Sequence, residues 1–248
     1  MSKPASGPGV VVTTLVVLVC MALLIGLGVW QLQRKVWKEN LIAAMTSRLD
    51  APPQPLPPPA QWAALKQADA EFRHVSFSAQ FIPGEEALVY SPGSALRSDI
   101  KGAGYFVFAP AKLADGRVVV VDRGFVPLDR KEKATRAQGA PPQGPVNVVG
   151  YLRWPETRGL FTPADDVKGG VWYLRAPSAM AAARKWGAVP PFYVDQEAPV
   201  PPGGLPSPGK IVVMLPDNHL QYAITWFGLA AGLAGVYGVW LYGRRRVA

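Results

Sequence analysis

The stretch Asn218-His219-Leu220-Gln221-Tyr222-Ala223-Ile224-Thr225-Trp226 decides how this chain is read. It opens an apolar run, residues 220–243, that contains no charged side chain. As a helix, that run reaches about 36 Å, enough for a hydrocarbon core of about 30 Å. A histidine therefore stands where a membrane helix begins. Asp217 or Asn218 can cap the helix by accepting its free N–H groups. The positive end of the helix dipole and partial burial both favour a neutral ring, which is the form that binds metal. Two readings of His219 are open here: an interfacial polar anchor, which the position alone favours, and a metal ligand.

Working outward, residues 4–33 form a second uncharged run, most apolar over 10–30 and also long enough to span. A cleaved signal sequence has an apolar core of about 7–15 residues followed by a small-residue cleavage site. Here the run is longer and passes directly into Trp30-Gln31-Leu32-Gln33-Arg34, so it reads as an uncleaved anchor. Only Lys3 precedes it, without an Arg-rich presequence, which fits a bacterial protein. Leu27, Trp30, Arg34, Trp37 and Leu41 recur at helical spacing and share one face of a helix that continues past the membrane. Within that stripe Arg34 either stacks on Trp30 and Trp37 or offers a cation to a carboxylate at the outer interface.

Between the runs the pattern changes. Residues 51–59 are proline-rich and read as an extended spacer. Residues 75–81 alternate as a strand does, and 87–90, 105–108, 118–121, 146–152, 192–194 and 211–214 are further strand candidates. Asp115-Gly116 marks a hairpin, residues 176–186 a short helix, and 129–133 a solvated turn. The expected fold class is a membrane protein in which two transmembrane helices flank a β-rich (α+β) extracytoplasmic domain. The expected segments are a short cytoplasmic N-terminus (1–9), the first span (10–33) and its helical extension (34–50). A proline-rich linker (51–61), the β-rich domain (62–217), the second span (218–243) and a basic cytoplasmic tail (244–248) follow. Arg244-Arg245-Arg246 places the C-terminus in the cytoplasm, against the weaker pull of Arg34, Lys35 and Lys38. The spans are expected to pair through Gly228 and Gly232 against Ala22 and Gly26.

The net charge of +9 does not imply nucleic acid, because the two apolar runs put the chain in a bilayer and no nucleic-acid motif is present. The single cysteine, Cys20, lies inside the first run, which excludes a disulfide, a CxxC site and covalent haem attachment. No nucleophile elbow, P-loop or dinucleotide fingerprint occurs, and no enzyme activity is expected.

Five stretches, in this order, resemble one family. They are Leu27-Gly28-Val29-Trp30-Gln31-Leu32-Gln33-Arg34-Lys35-Val36-Trp37-Lys38; Val121-Asp122-Arg123-Gly124-Phe125-Val126-Pro127; Glu156-Thr157-Arg158 with Phe161-Thr162-Pro163; Trp172-Tyr173-Leu174-Arg175 with Met180-Ala181; and residues 218–226. The chain resembles the surfeit locus protein 1 family, the cytochrome c oxidase assembly factors. The resemblance implies two spans, an outer domain, and a role in building the haem-bearing subunit of a terminal oxidase. For bacterial members it also implies transient binding of haem A, with the second-span histidine, here His219, as the ligand of the haem iron. Trp30, Tyr222 and Trp226 are assigned beside it, and Arg34 as a propionate partner is our own addition. The implied partners are the haem-bearing subunit, haem A synthase and the lipid bilayer of the bacterial inner membrane, with the main domain in the periplasm. A cofactor-free scaffold for the nascent subunit is the alternative. Ala176, Ala79 and Asp122 depart from the residues usual in that family.

Overall fold

A computed structural model describes residues 8–94, 96–212 and 217–247. In chain order, α1 (Pro8–Leu49) precedes β1 (Gln54–Pro55), the one-turn α2 (Gln67–Ala70), β2 (His74–Phe81) and β3 (Ala87–Ser91). Then come β4 (Gly104–Lys112), β5 (Val118–Pro127), β6 (Val146–Arg153), β7 (Val171–Trp172), α3 (Pro177–Arg184), β8 (Tyr193–Ala198) and α4 (His219–Val247). The chain divides into two compact units, Met1–Ala43 with Leu215–Ala248, and Ala44–Met214.

The first unit is a helix pair. Pro8 sits at the first position of α1, where a missing N–H is harmless, and Pro52-Pro53 forbid its continuation. Both helices are long and apolar enough to cross a membrane. Along the part of α1 in this unit the less exposed positions include Thr14, Val17, Met21, Leu24, Gly28, Gln31, Lys35 and Lys38. On α4 they include His219, Ala223, Trp226, Ala230, Leu233, Tyr237 and Trp240. Both sets step by three and four, the pattern of two helices meeting along a seam. The Thr14 and Tyr237 hydroxyls hydrogen-bond near one end, and Gln31 meets His219 near the other, so the helices run antiparallel.

That seam corrects the expected pairing face. Gly228, Gly232, Gly26 and Ala22 are all exposed, and a Cβ built on any of the three glycines meets nothing within 4 Å. The close approach is at Gly28 instead, where a Cβ would lie 2.6 Å from the Phe227 ring. A ring packed against bare backbone replaces the backbone-to-backbone contact that a GxxxG motif provides. The stripe Leu27, Trp30, Trp37 and Leu41 does share one face, but it is an exposed one.

The second unit is a β-barrel. Its strands follow the cycle β2-β6-β8-β5-β4, which β2 and β4 close through Gln80↔Lys112 and Phe81↔Ala111. Val75, Phe81, Ala111, Val119, Val121, Val148, Leu152 and Val194 fill the core of these five strands. The opposite face of the sheet carries Phe106, Phe108, Val120 and Tyr193, which Met180, Ala181 and Trp186 from α3 and the turn after it cover. β4 serves two partners on one edge: its first half pairs with β3 and its end with β2. Pro110 lies where that edge changes hands. Its carbonyl accepts Ile82 N–H at 3.0 Å, and its missing donor falls where the ladder is interrupted. The Asp115-Gly116 hairpin forms as expected, with Gly116 at φ +86° and Leu113 N–H donating to Arg117 O at 2.8 Å.

The proline-rich stretch is part of this domain rather than a free spacer. Gln54 and Pro55 pair in parallel with Val75 and Ser76, and Trp62 Nε1 donates to Pro57 O at 2.8 Å from within the barrel core. Ile211 and Val212 are not in a strand, although Val212 N–H donates to Leu96 O; Val213 and Met214 lie outside the described residues.

Candidate functional site

The start of α4 is set by its cap. Asp217 Oδ1 accepts His219 N–H at 2.9 Å, and Asn218 O accepts Tyr222 N–H at 3.1 Å, so Asp217 supplies the side-chain cap. This fixes His219 in the first turn of α4, on the seam. Its Nδ1 lies 2.7 Å from Gln31 Oε1 on α1. Among the described residues the side-chain bond of the ring is this one, through Nδ1, and none is made by Nε2.

The other residues expected at this site fall around that pair. Trp30, next to Gln31, is 53% exposed, and Tyr222, one turn after His219, is 55% exposed. On the helical wheel, Trp30 and Arg34 lie on one flank of the α1 seam, and Tyr222 lies on the matching flank of antiparallel α4. Trp226 is half-buried on the seam, and its buried Nε1–H has no partner among the described residues. The Arg34 guanidinium stacks 3.8 Å over the Trp37 ring, not over Trp30, and the structure does not bring it to His219. Lys35 pairs with Glu39 one turn on. The arrangement thus presents an imidazole with one nitrogen tied down, exposed aromatic faces beside it, and cations within the next turns of α1.

The SURF1 family matches residues 18–231. Surfeit locus protein 1 of Rattus norvegicus is 35% identical over 216 residues, which is 83% of this chain and 68% of that protein. Surfeit locus protein 1 of Homo sapiens is 35% identical over 217 residues, covering 83% and 70% respectively. A SURF1-like protein of Monosiga brevicollis is 34% identical over 230 residues, covering 89% and 83%. This chain belongs to the SURF1 family.

The β-barrel domain of this SURF1 family member holds a second polar assembly that sequence reasoning missed. Register aligns His74, Tyr151, Asp195 and Asp122 across β2, β6, β8 and β5. His74 stacks on Tyr151 with ring centroids 4.7 Å apart. Its Nδ1 bonds Ala51 O at 2.8 Å; its Nε2 lies 2.8 Å from Glu197 Oε2 without hydrogen-bond alignment, so both nitrogens face protein. Tyr151 OH donates to the same Glu197 oxygen at 3.1 Å. Arg153 reaches Asp195 at 3.8 Å and Glu71 at 3.4 Å, and Arg175 holds Glu156 at 2.6 Å. Asp122 is fully buried; Oδ1 accepts Gly124 N–H at 3.0 Å, and Oδ2 has no partner among the described residues. Burial, and then the neighbouring Asp195 carboxylate, push the Asp122 carboxyl up to about 8, with Arg175 pulling the other way. Burial raises Asp195 as well, against Arg153 and Arg175. The stretch around Asp122 and the one ending in Arg175 gave the only sequence signal; nothing in their spacing showed that they meet.

Proposed function

We propose that this SURF1 family member is an assembly factor for cytochrome c oxidase that binds haem A and assists its delivery to, or insertion in, the haem-bearing subunit. The observation that carries this reading is the placement of His219: its ring sits at the start of a span, with Nδ1 held by Gln31 and Nε2 without a partner among the described residues. The residues present suit such a group. Haem supplies an iron that accepts an imidazole nitrogen, on an apolar macrocycle with two carboxylates. His219 provides the nitrogen. Trp30, Tyr222 and Trp226 provide apolar faces, the first two open and the third half-buried. Arg34 is exposed and, among the described residues, held by a ring stack on Trp37, so it can turn to a propionate and make charge-assisted hydrogen bonds. One protein ligand gives the weak hold that a carrier needs, and the protein is a carrier rather than an enzyme.

Arg244, Arg245 and Arg246 at the end of α4 support a location in the bacterial inner membrane with the barrel in the periplasm. Haem A synthase then stands upstream as donor and the oxidase subunit downstream as acceptor. One observation favours the scaffold reading beside this one. Leu160 and Phe161 are 99% and 97% exposed on a turn that Arg158 braces through Asp165, an apolar tip suited to contact with another protein. A haem spectrum of the protein purified from cells that make haem A separates the two. The carrier shows bound haem A. Haem-free protein that still supports oxidase assembly leaves the scaffold.

A further inference from the structure

We infer that Gln31 is a positioning residue that sets the tautomer of His219 and so decides which ring nitrogen meets a metal. The inference rests on the haem-carrier reading for its use but not for its geometry. Gln31 lies three residues beyond Gly28, on the α1 seam, level with the first turn of α4. Its Oε1 lies 2.7 Å from His219 Nδ1. A carbonyl oxygen can only accept, so the imidazole proton stands on Nδ1. The lone pair of the neutral ring is then on Nε2, the nitrogen farther from the backbone and without a partner among the described residues. A metal-bound histidine is commonly oriented in this way, by a hydrogen bond at its other nitrogen.

The contact also fixes direction. Gln31 and His219 are both partly shielded on the seam. The amide holds the ring plane relative to α1, and Asp217 holds the turn that carries it. An acceptor at Nδ1 also fixes the ring orientation in which Nε2 meets a metal. The opposite pairing, a Gln31 amide N–H donated to Nδ1, would put the proton on Nε2 and close the ring to metal.

The test reads the ring directly. The chain has two histidines. Full-length apoprotein labelled with 15N-histidine and reconstituted in lipid nanodiscs therefore gives two ring spin systems, which His219→Ala assigns. Spectra are taken above the imidazole range, where the rings are neutral. The wild type is expected to show His219 protonated at Nδ1 with a pyridine-type Nε2. Gln31→Met keeps the side-chain length and removes the acceptor; the Nε2–H form then becomes the major one. Gln31→Glu restores an acceptor and restores Nδ1–H. In haem titrations, Gln31→Met weakens binding about 10- to 100-fold. A wild-type His219 protonated at Nε2 overturns the inference whatever the variants do, and so does an unchanged tautomer in Gln31→Met with unchanged His74 signals. The nitrogen spectra use no haem, so a protein that binds none leaves the tautomer assignment standing and removes only its use.

Discussion

Asp122 is a carboxyl that the fold keeps in its acid form. Its ordinary value is 3.8, and burial in the barrel wall raises it to about 8. Between those values the folded protein holds a proton that the unfolded chain has released. The contribution to stability is complete below 3.8, falls as pH rises through the interval, and is gone above about 8. Its slope is at most about 1.4 kcal/mol per pH unit. Asp122→Asn keeps an acceptor for Gly124 N–H and removes the titration. Thermal unfolding of full-length protein in detergent should show a flatter pH profile for the variant, with a Tm at or above wild type in mildly alkaline buffer. Parallel profiles would show that Asp122 is ionised throughout. At this scale the sequence was readable where a residue's position on the chain sets its role. The place of His219 at the start of a long helix was legible because an uncharged run begins at it. The contact of Gln31 was not, because its partner lies 188 residues away.

Among the elements, the barrel strands were legible from alternation and turn residues, and the helix pair only in part. The stripe through Trp30 and Trp37 carries the stronger hydrophobic pattern, and it faces outward. In a bilayer the lipid is as apolar as any core, so the most hydrophobic face need not be the buried one. The seam mixes small or polar side chains, Thr14, Gly28, Gln31, Ala223 and Ala230, with larger ones such as Met21, Leu24 and Trp226. Gly28→Leu should therefore force Phe227 out of its seat, an overpacking cost of about 1–3 kcal/mol. Gly228→Leu and Gly232→Leu should be neutral, since both positions face open space. Cysteines at Thr14 and Tyr237, in a Cys20→Ser background and bridged by a bifunctional thiol reagent, report the pairing. Cross-linking should drop in the Gly28 variant alone; a drop in the Gly228 or Gly232 variant would restore the GxxxG face. Barrel closure was the other feature hidden from the sequence. It depends on two residue pairs between β2 and β4, and on Pro110 sitting where β4 changes partner, none of which leaves a local signal.

For the molecule as a whole, two basic clusters compete to set orientation, and the terminal arginines are taken to win. Leu160 is fully exposed in the β-barrel domain and suits a probe. Leu160→Cys, again without Cys20, should react with a membrane-impermeant maleimide in cells whose outer membrane alone has been opened. Reaction only after the inner membrane is broken would invert the topology. The central claim is that His219 holds the haem iron. It is tested most directly by haem per protein, measured as pyridine haemochrome, on His219→Ala, Arg34→Ala and His74→Ala purified side by side from cells that make haem A. The account predicts loss of most haem in His219→Ala with the protein still folded and inserted. It predicts a smaller loss in Arg34→Ala, whose exposed charge contributes little, and haem content near wild type in His74→Ala, whose ring nitrogens both face protein. Wild-type haem content in His219→Ala would contradict it.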